Sequence, residues 1–186
     1  MNYTNLELEN LTLQWGIDRK ITINGKLETQ FLKLIEESGE LFSSGDDIEK
    51  IKDAMGDQLV VLTMINGLIN NKFVFDIFTN KPSSFSEATL ILCTIQGGFA
   101  SNIVRSRISE LNVSINEYFI ILDYFATFFK TNINECWNHA YNEIKDRKGY
   151  LAENGCFIKE EDYLKKDSIL DKIDFFNTQT VNWVFI

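Results

Sequence analysis

Proline occurs once in 186 residues, at Pro82. Few other features bear so strongly on the fold, because proline fixes φ, lacks a backbone N–H and breaks helix interiors. The apolar residues recur at three- and four-residue spacing, the period of a helix with one buried face. Start signals punctuate that pattern. Ser84-Phe-Ser-Glu87, Ser114-Ile-Asn-Glu117, Asn132-Ile-Asn-Glu135 and Asp46-Asp-Ile-Glu49 each set a capping side chain three residues before a glutamate. Lys145-Asp-Arg147-Lys148-Gly149 puts cations in a last turn and glycine just past it.

Helices are therefore expected near 5–15, 26–43, 47–72, 84–109, 114–131 and 133–148, with 73–83 joining two helical hairpins. The expected fold is all-α: a bundle of two antiparallel hairpins with a flanking helix over 1–149. Residues 150–186 are expected as an irregular C-terminal tail packed on the bundle or on a neighbouring subunit. Within the tail, 150–159 reads as loop, 159–166 as a short charged helix and 181–185 as a short strand.

The hairpins share an apolar pattern at an offset of 60. Phe31, Leu32 and Ile35 fall on Ile91, Leu92 and Ile95, Leu59–Leu62 on Phe119–Leu122, and Ile65 on Phe125. Such a repeat makes the chain an internal pseudo-dimer, a four-helix bundle closed within one polypeptide; two unrelated hairpins of similar length also match in this way. At this offset Glu37 falls on Gly97, Glu40 on Ala100 and Asp57 on Glu117, so the second hairpin is read as a scaffold half, leaving one site per chain. Gly97-Gly98 is read as a close helix contact.

A net charge of −9 and a pI near 4.7 argue against nucleic-acid binding. They leave open a small anionic substrate held through a divalent metal. No apolar run approaches the roughly 18 residues of a membrane span, and the first residues lack the basic and apolar segments of a secretory signal. Cys93, Cys136 and Cys156 are odd in number and lack metal-ligand spacing, so reduced thiols and a cytoplasmic location are expected. His139 is the only histidine and is read as a helix-face residue without a catalytic role. Chemistry, if present, rests on carboxylates.

Those carboxylates are concentrated in Lys33-Leu-Ile-Glu36-Glu37-Ser-Gly-Glu40 and Asp53-Ala-Met-Gly-Asp57. At about 100° per residue, Gln30, Lys33, Glu37 and Glu40 share a narrow stripe beside the apolar one, while Glu36 sits about 100° away. Asp53 and Asp57 lie one turn apart in a largely apolar run. Acids bordering a core are costly to desolvate, and a hard divalent cation such as magnesium or manganese compensates them. The same acids also suit a solvated face paired with Lys33, Lys50 and Lys52.

These segments resemble the motif of MazG-like nucleotide pyrophosphohydrolases, the all-α superfamily that includes the dimeric dUTPases: E-E-x-x-E on one helix and E-x-x-D on the next. Glu36, Glu37 and Glu40 fill the first part and Asp57 the last position; the first acid of the second part falls on Ala54, with Asp53 one residue away. Trp15-Gly-Ile-Asp18-Arg19 and Ala140–Gly149 also look like segments of phage-type MazG-like proteins, so the likeness covers about 6–72 and 133–162.

The resemblance implies cleavage of a nucleoside triphosphate between its α and β phosphorus atoms. It implies Mg2+, or Mn2+, held by Glu37, Glu40 and Asp57 with Asp53 in support, and Glu36 orienting or deprotonating the water. Lys33, Arg19, Asn142, Lys145 and Arg147 would bind the nucleotide, with Trp15 stacking on its base. Family members commonly form dimers, so a homo-oligomer or an internal pseudo-dimer is expected. The absent glutamate at Ala54 favours a second reading, a non-catalytic helical module that binds a nucleotide or a partner, with Trp183 and Phe185 of the tail as an assembly element.

Overall fold

Side-chain caps set where most of the helices begin. In the computed structural model, which describes residues 2–75 and 82–162, Thr4 and Glu7 form a reciprocal capping box that opens α1 (Asn5–Asp18). Asp47 caps α4 (Ile48–Leu68), Ser84 caps α5 (Phe85–Val104) and Asn132 caps α7 (Ile133–Ile144). Between them lie a single turn, α2 (Ile21–Asn24), then α3 (Leu27–Ser43) and α6 (Ile108–Phe128). The architecture is the expected all-α bundle. No helix among the described residues is long and apolar enough to cross a membrane.

Several boundaries differ from expectation for local reasons. Ser106 takes a left-handed φ of 53°, ending α5 before 109 and letting α6 start at Ile108, six residues early. Ser114 is consequently not a cap. It sits buried inside α6, its hydroxyl donating to the Glu110 carbonyl at 3.1 Å. The Asp46 signal is displaced by one, since Asp47 accepts from Lys50 N. Asn70, at φ 55°, terminates α4 before 72.

Residues 150–159, expected as loop, belong instead to a hairpin. Strand β1 (Gly149–Leu151) pairs antiparallel with β2 (Phe157–Lys159), Tyr150 opposite Ile158. Gly155, at φ 83°, makes the turn, and Cys156 N donates to Asn154 Oδ1. The boundary placed after 149 thus falls inside β1. A helix begins at residue 160; the rest of 159–166 and the strand expected at 181–185 lie outside the described residues.

Helix α4 is the central element, contacted by α1, α2, α3, α6 and α7, and it is buried nearly all round from Ile51 to Asn66. That burial needs a close approach to α7, which Gly56 permits: a Cβ there would run into the Cys136 carbonyl and the Ala140 methyl.

The two hairpins correspond in layout, as an internal repeat would require. Shifting α4 by 60 residues reproduces the bounds of α6, and all nine buried residues of α6 fall on buried residues of α4. The α3–α5 pairing is a correction. At 60, Leu32, 68% exposed, would match Leu92, 0% exposed. At 61 two buried pairs align, Leu34 with Ile95 and Ser38 with Phe99. The physical reason is the connector: 44–47 between α3 and α4 is one residue longer than 105–107 between α5 and α6. Glu37 then falls on Gly98 and Glu40 on Ser101, still without acids.

One side chain from each of these four helices meets in a buried polar knot. Ser38 Oγ lies 2.6 Å from Tyr118 OH, which donates to Gln58 Oε1 at 2.9 Å, and Gln96 Nε2 donates to both hydroxyls. Satisfied networks of this kind fix the register of packed helices. Gly97 and Gly98, expected at a close helix contact, are instead exposed, and a Cβ on either would meet nothing within 4 Å.

Candidate functional site

A cleft of about 480 Å³ opens between α3 and α4, closed by the end of α1, the end of α7 and the hairpin. It brings together Trp15, Lys33, Glu36, Glu37, Asp57 and Arg147 from the candidates read in the sequence. It adds Lys159 and Phe157 of β2.

Glu37 is its most constrained member. The side chain is 2% exposed. Oε1 pairs with Lys33 Nζ at 2.7 Å, whereas Oε2 is buried without a hydrogen-bond partner among the described residues. A buried carboxylate oxygen left unpaired is costly. Burial pushes the Glu37 carboxyl up to about 7; the Lys33 hydrogen bond opposes this, and the nearby charges of Asp57 and Glu40 add to it.

Asp57, one helix over, is raised to about 6 by burial first and by the charge of Asp53 second; Arg147, Lys33 and Lys159 pull it back. Burial works against the charge on Lys33, yet its bonds to Glu37 and to Glu36, at 3.1 Å, hold its pKa above the ordinary value. Two carboxylates on antiparallel helices, both displaced toward neutrality, are surrounded by three cations.

The other candidates fall differently. Glu40 is exposed, outside the cleft lining and felt by Glu37 only through its charge, because three residues displace it about 4.5 Å along α3. Glu36, read as off the stripe, lies in the lining because Lys33 draws it in. Asp53 adjoins Asp57 but lies toward α7, where its carboxylate, His139 and Glu143 place donor atoms within 4.8 Å of one another. Ala54, at the position of the motif's missing glutamate, is core, 2% exposed.

Arg19 braces the site rather than lining it. Its Nε and an Nη donate to the Arg147 carbonyl at 3.0 and 2.6 Å, a second Nη donates to the Trp15 carbonyl, and the guanidinium lies 4.6 Å over the Trp15 ring.

Asn142 and Lys145 lie outside the cleft lining. Ile144 faces the cleft, and Lys145 and Asn142 lie about 100° and 200° round the helix from it. Lys145 Nζ donates to Asn142 Oδ1, and Asn142 borders a separate polar depression beside Asn138 and His139.

Sequence reasoning missed Phe157 and Lys159. Three-residue strands are too short for an alternation to register, though Asn154-Gly155 is a hairpin signal that was present. No family model, curated protein or solved structure matches the chain. The class that fold and site define is an all-α bundle with a carboxylate-and-cation cleft at its α3–α4 hairpin.

Proposed function

We propose that the chain is a metal-dependent nucleoside triphosphate pyrophosphohydrolase, acting on the α–β phosphoanhydride to give a monophosphate and pyrophosphate. The observation that carries this is Glu37: a nearly fully buried carboxylate with one unpaired oxygen, near Asp57 in a cleft lined by Lys33, Arg147 and Lys159. The resemblance of Glu36, Glu37, Glu40 and Asp57 to the MazG-like motif supports the same reading.

The orphaned oxygen and an all-oxygen donor set fit Mg2+ or Mn2+. Glu37 and Asp57 would hold the ion, with Glu40 at the rim and Asp53 beside Asp57. Such an ion, when bound, polarises phosphate oxygens and lowers the pKa of water.

The chain's own groups supply the rest. Lys33, Arg147 and Lys159 offset the negative charge of the triphosphate and of the leaving pyrophosphate. Arg19 fixes the Arg147 backbone and so the position of its side chain. Glu36, at the cleft's open edge, accepts a proton from the water whose oxygen bonds the α phosphorus as the bond to the bridging oxygen breaks. The three unpaired cysteines fit a cytoplasmic setting, and we read the working form as a homo-oligomer or an internal pseudo-dimer.

Glu37→Gln is the test. It should abolish pyrophosphate release while leaving the helical circular dichroism intact. Retention of more than about a tenth of the activity would remove Glu37 from the metal site. The buried methyl of Ala54 favours one second reading, a nucleotide-binding module without turnover; Mg2+-dependent stabilisation by a slowly hydrolysed analogue, with no release from the natural triphosphate, would select it.

A further inference from the structure

The cleft continues past its charged end into an apolar one. Along α4, Asp57 gives way to Val60, Val61 and Met64, which line the cleft with Trp15, Ile144 and Phe157. Met64 is seven residues, about 10 Å, beyond Asp57, a reach comparable to that from a phosphate through a pentose to its base.

Trp15 is 7% exposed, and its Nε1 is buried without a hydrogen-bond partner among the described residues. Buried indole N–H groups ordinarily find an acceptor. Trp137 shows the contrast, its Nε1 donating to Thr12 Oγ1 at 3.2 Å. The Trp15 ring is meanwhile engaged, with the Arg19 guanidinium over one face and Phe157 meeting it at 66° and 5.5 Å between centroids. What the residue has unused is its donor, not a face for stacking.

We propose that Trp15 recognises the base of a bound nucleotide by donating Nε1–H to a ring carbonyl oxygen or ring nitrogen, Phe157 moving aside to admit the ring. Phe157 can yield because it sits on a half-buried two-stranded hairpin, an element with little stability of its own. This rests on the nucleotide reading of the cleft but not on turnover. It replaces the stacking role with a hydrogen-bonding one, and it makes the preferred ligand a nucleotide rather than a bare polyphosphate or sugar phosphate.

The experiment uses the full chain with Mg2+, a no-ligand control and four kinds of probe: the monophosphates of uridine, cytidine, adenosine and guanosine, ribose phosphate, tripolyphosphate, and benzyl phosphate (a planar ring without an acceptor). Binding is measured by calorimetry for the wild type and Trp15→Phe, which keeps an aromatic ring and loses the donor. At least one nucleoside monophosphate should bind more weakly to the variant by about three- to tenfold, the range expected for one net hydrogen bond. Benzyl phosphate should change by less than about twofold.

A second readout needs no variant. The sequence-assigned Trp15 indole N–H resonance should move downfield with that nucleotide and stay in place with ribose phosphate or tripolyphosphate. Equal affinities for both proteins, or an indole resonance that no nucleotide moves, would overturn the proposal. Pyrophosphate release without indole movement would retain the hydrolase and discard this role for Trp15; indole movement without release would do the reverse.

Discussion

Replacing Glu37 with glutamine should make the metal-free protein more stable at pH 8, not less. The carboxyl is 2% exposed, and its pKa is raised from 4.5 to about 7, by burial first, against the Lys33 hydrogen bond and with the charges of Asp57 and Glu40. At pH 8 it is ionised in both folded and unfolded chains. Each pH unit by which the folded pKa is displaced costs about 1.4 kcal/mol, so the full displacement corresponds to about 3 kcal/mol. Water in the adjoining cleft screens part of this, leaving about 2 kcal/mol.

Between the unfolded value of 4.5 and the folded value of about 7, the native state holds more protons than the unfolded one. Wild-type stability therefore falls as pH rises through that window. Asp57, raised to about 6, acts with the same sign. Glutamine stays neutral and removes the Glu37 share of the slope. In EDTA at pH 8, thermal melts should place Glu37→Gln roughly 4–8 °C above wild type, with the gap closing toward pH 4. Added Mg2+ should raise the melting temperature of the wild type and not that of the variant. A variant that melts below wild type at pH 8 in EDTA would refute the reasoning, because the Lys33 pair would then outweigh the burial cost.

Two further perturbations probe how the site is held. Gly56→Ala should lower stability by about 1–3 kcal/mol in denaturant melts, since its methyl meets the Cys136 carbonyl and the Ala140 methyl at the α4–α7 seam; a neutral effect would mean that the seam can open freely. Lys159→Met should remove a charge that holds the Asp57 pKa down, moving the acid limb of the pH–rate profile to higher pH with helical content unchanged. An unmoved limb would separate Lys159 from Asp57.

The bundle was legible because helical periodicity survives burial. Ser84 and Asn132 announced real starts, since their side chains had nothing better to bond than the first turn. Ser114 carried the same local pattern but lies in a helix whose buried face includes it, so tertiary packing overrode the cap and the hydroxyl turned to Glu110. The offset of 60 held for α4 and α6, where every buried residue of α6 falls on a buried residue of α4. It slipped by one in α3 and α5 because an extra connector residue leaves no mark on periodicity.

The site was partly legible for a similar reason. Helix angles place Lys33 and Glu37 together, and α3 and α4 do meet along that stripe. Angles alone ignore translation along the axis, which leaves Glu40 outside, and ignore ion pairing, which brings Glu36 in. Asn142 and Lys145 followed from resemblance rather than from the face of α7 that Ile144 defines. The Ser38–Gln58–Gln96–Tyr118 knot spans 80 residues of sequence and has no local signature at all.

The most direct measurement is pyrophosphate release from a panel of ribo- and deoxyribonucleoside triphosphates, with Mg2+, with Mn2+ and with EDTA. The account predicts metal-dependent release that favours one or two nucleotides and disappears in EDTA. No release from any triphosphate by folded protein, or release that EDTA leaves unchanged, would contradict it.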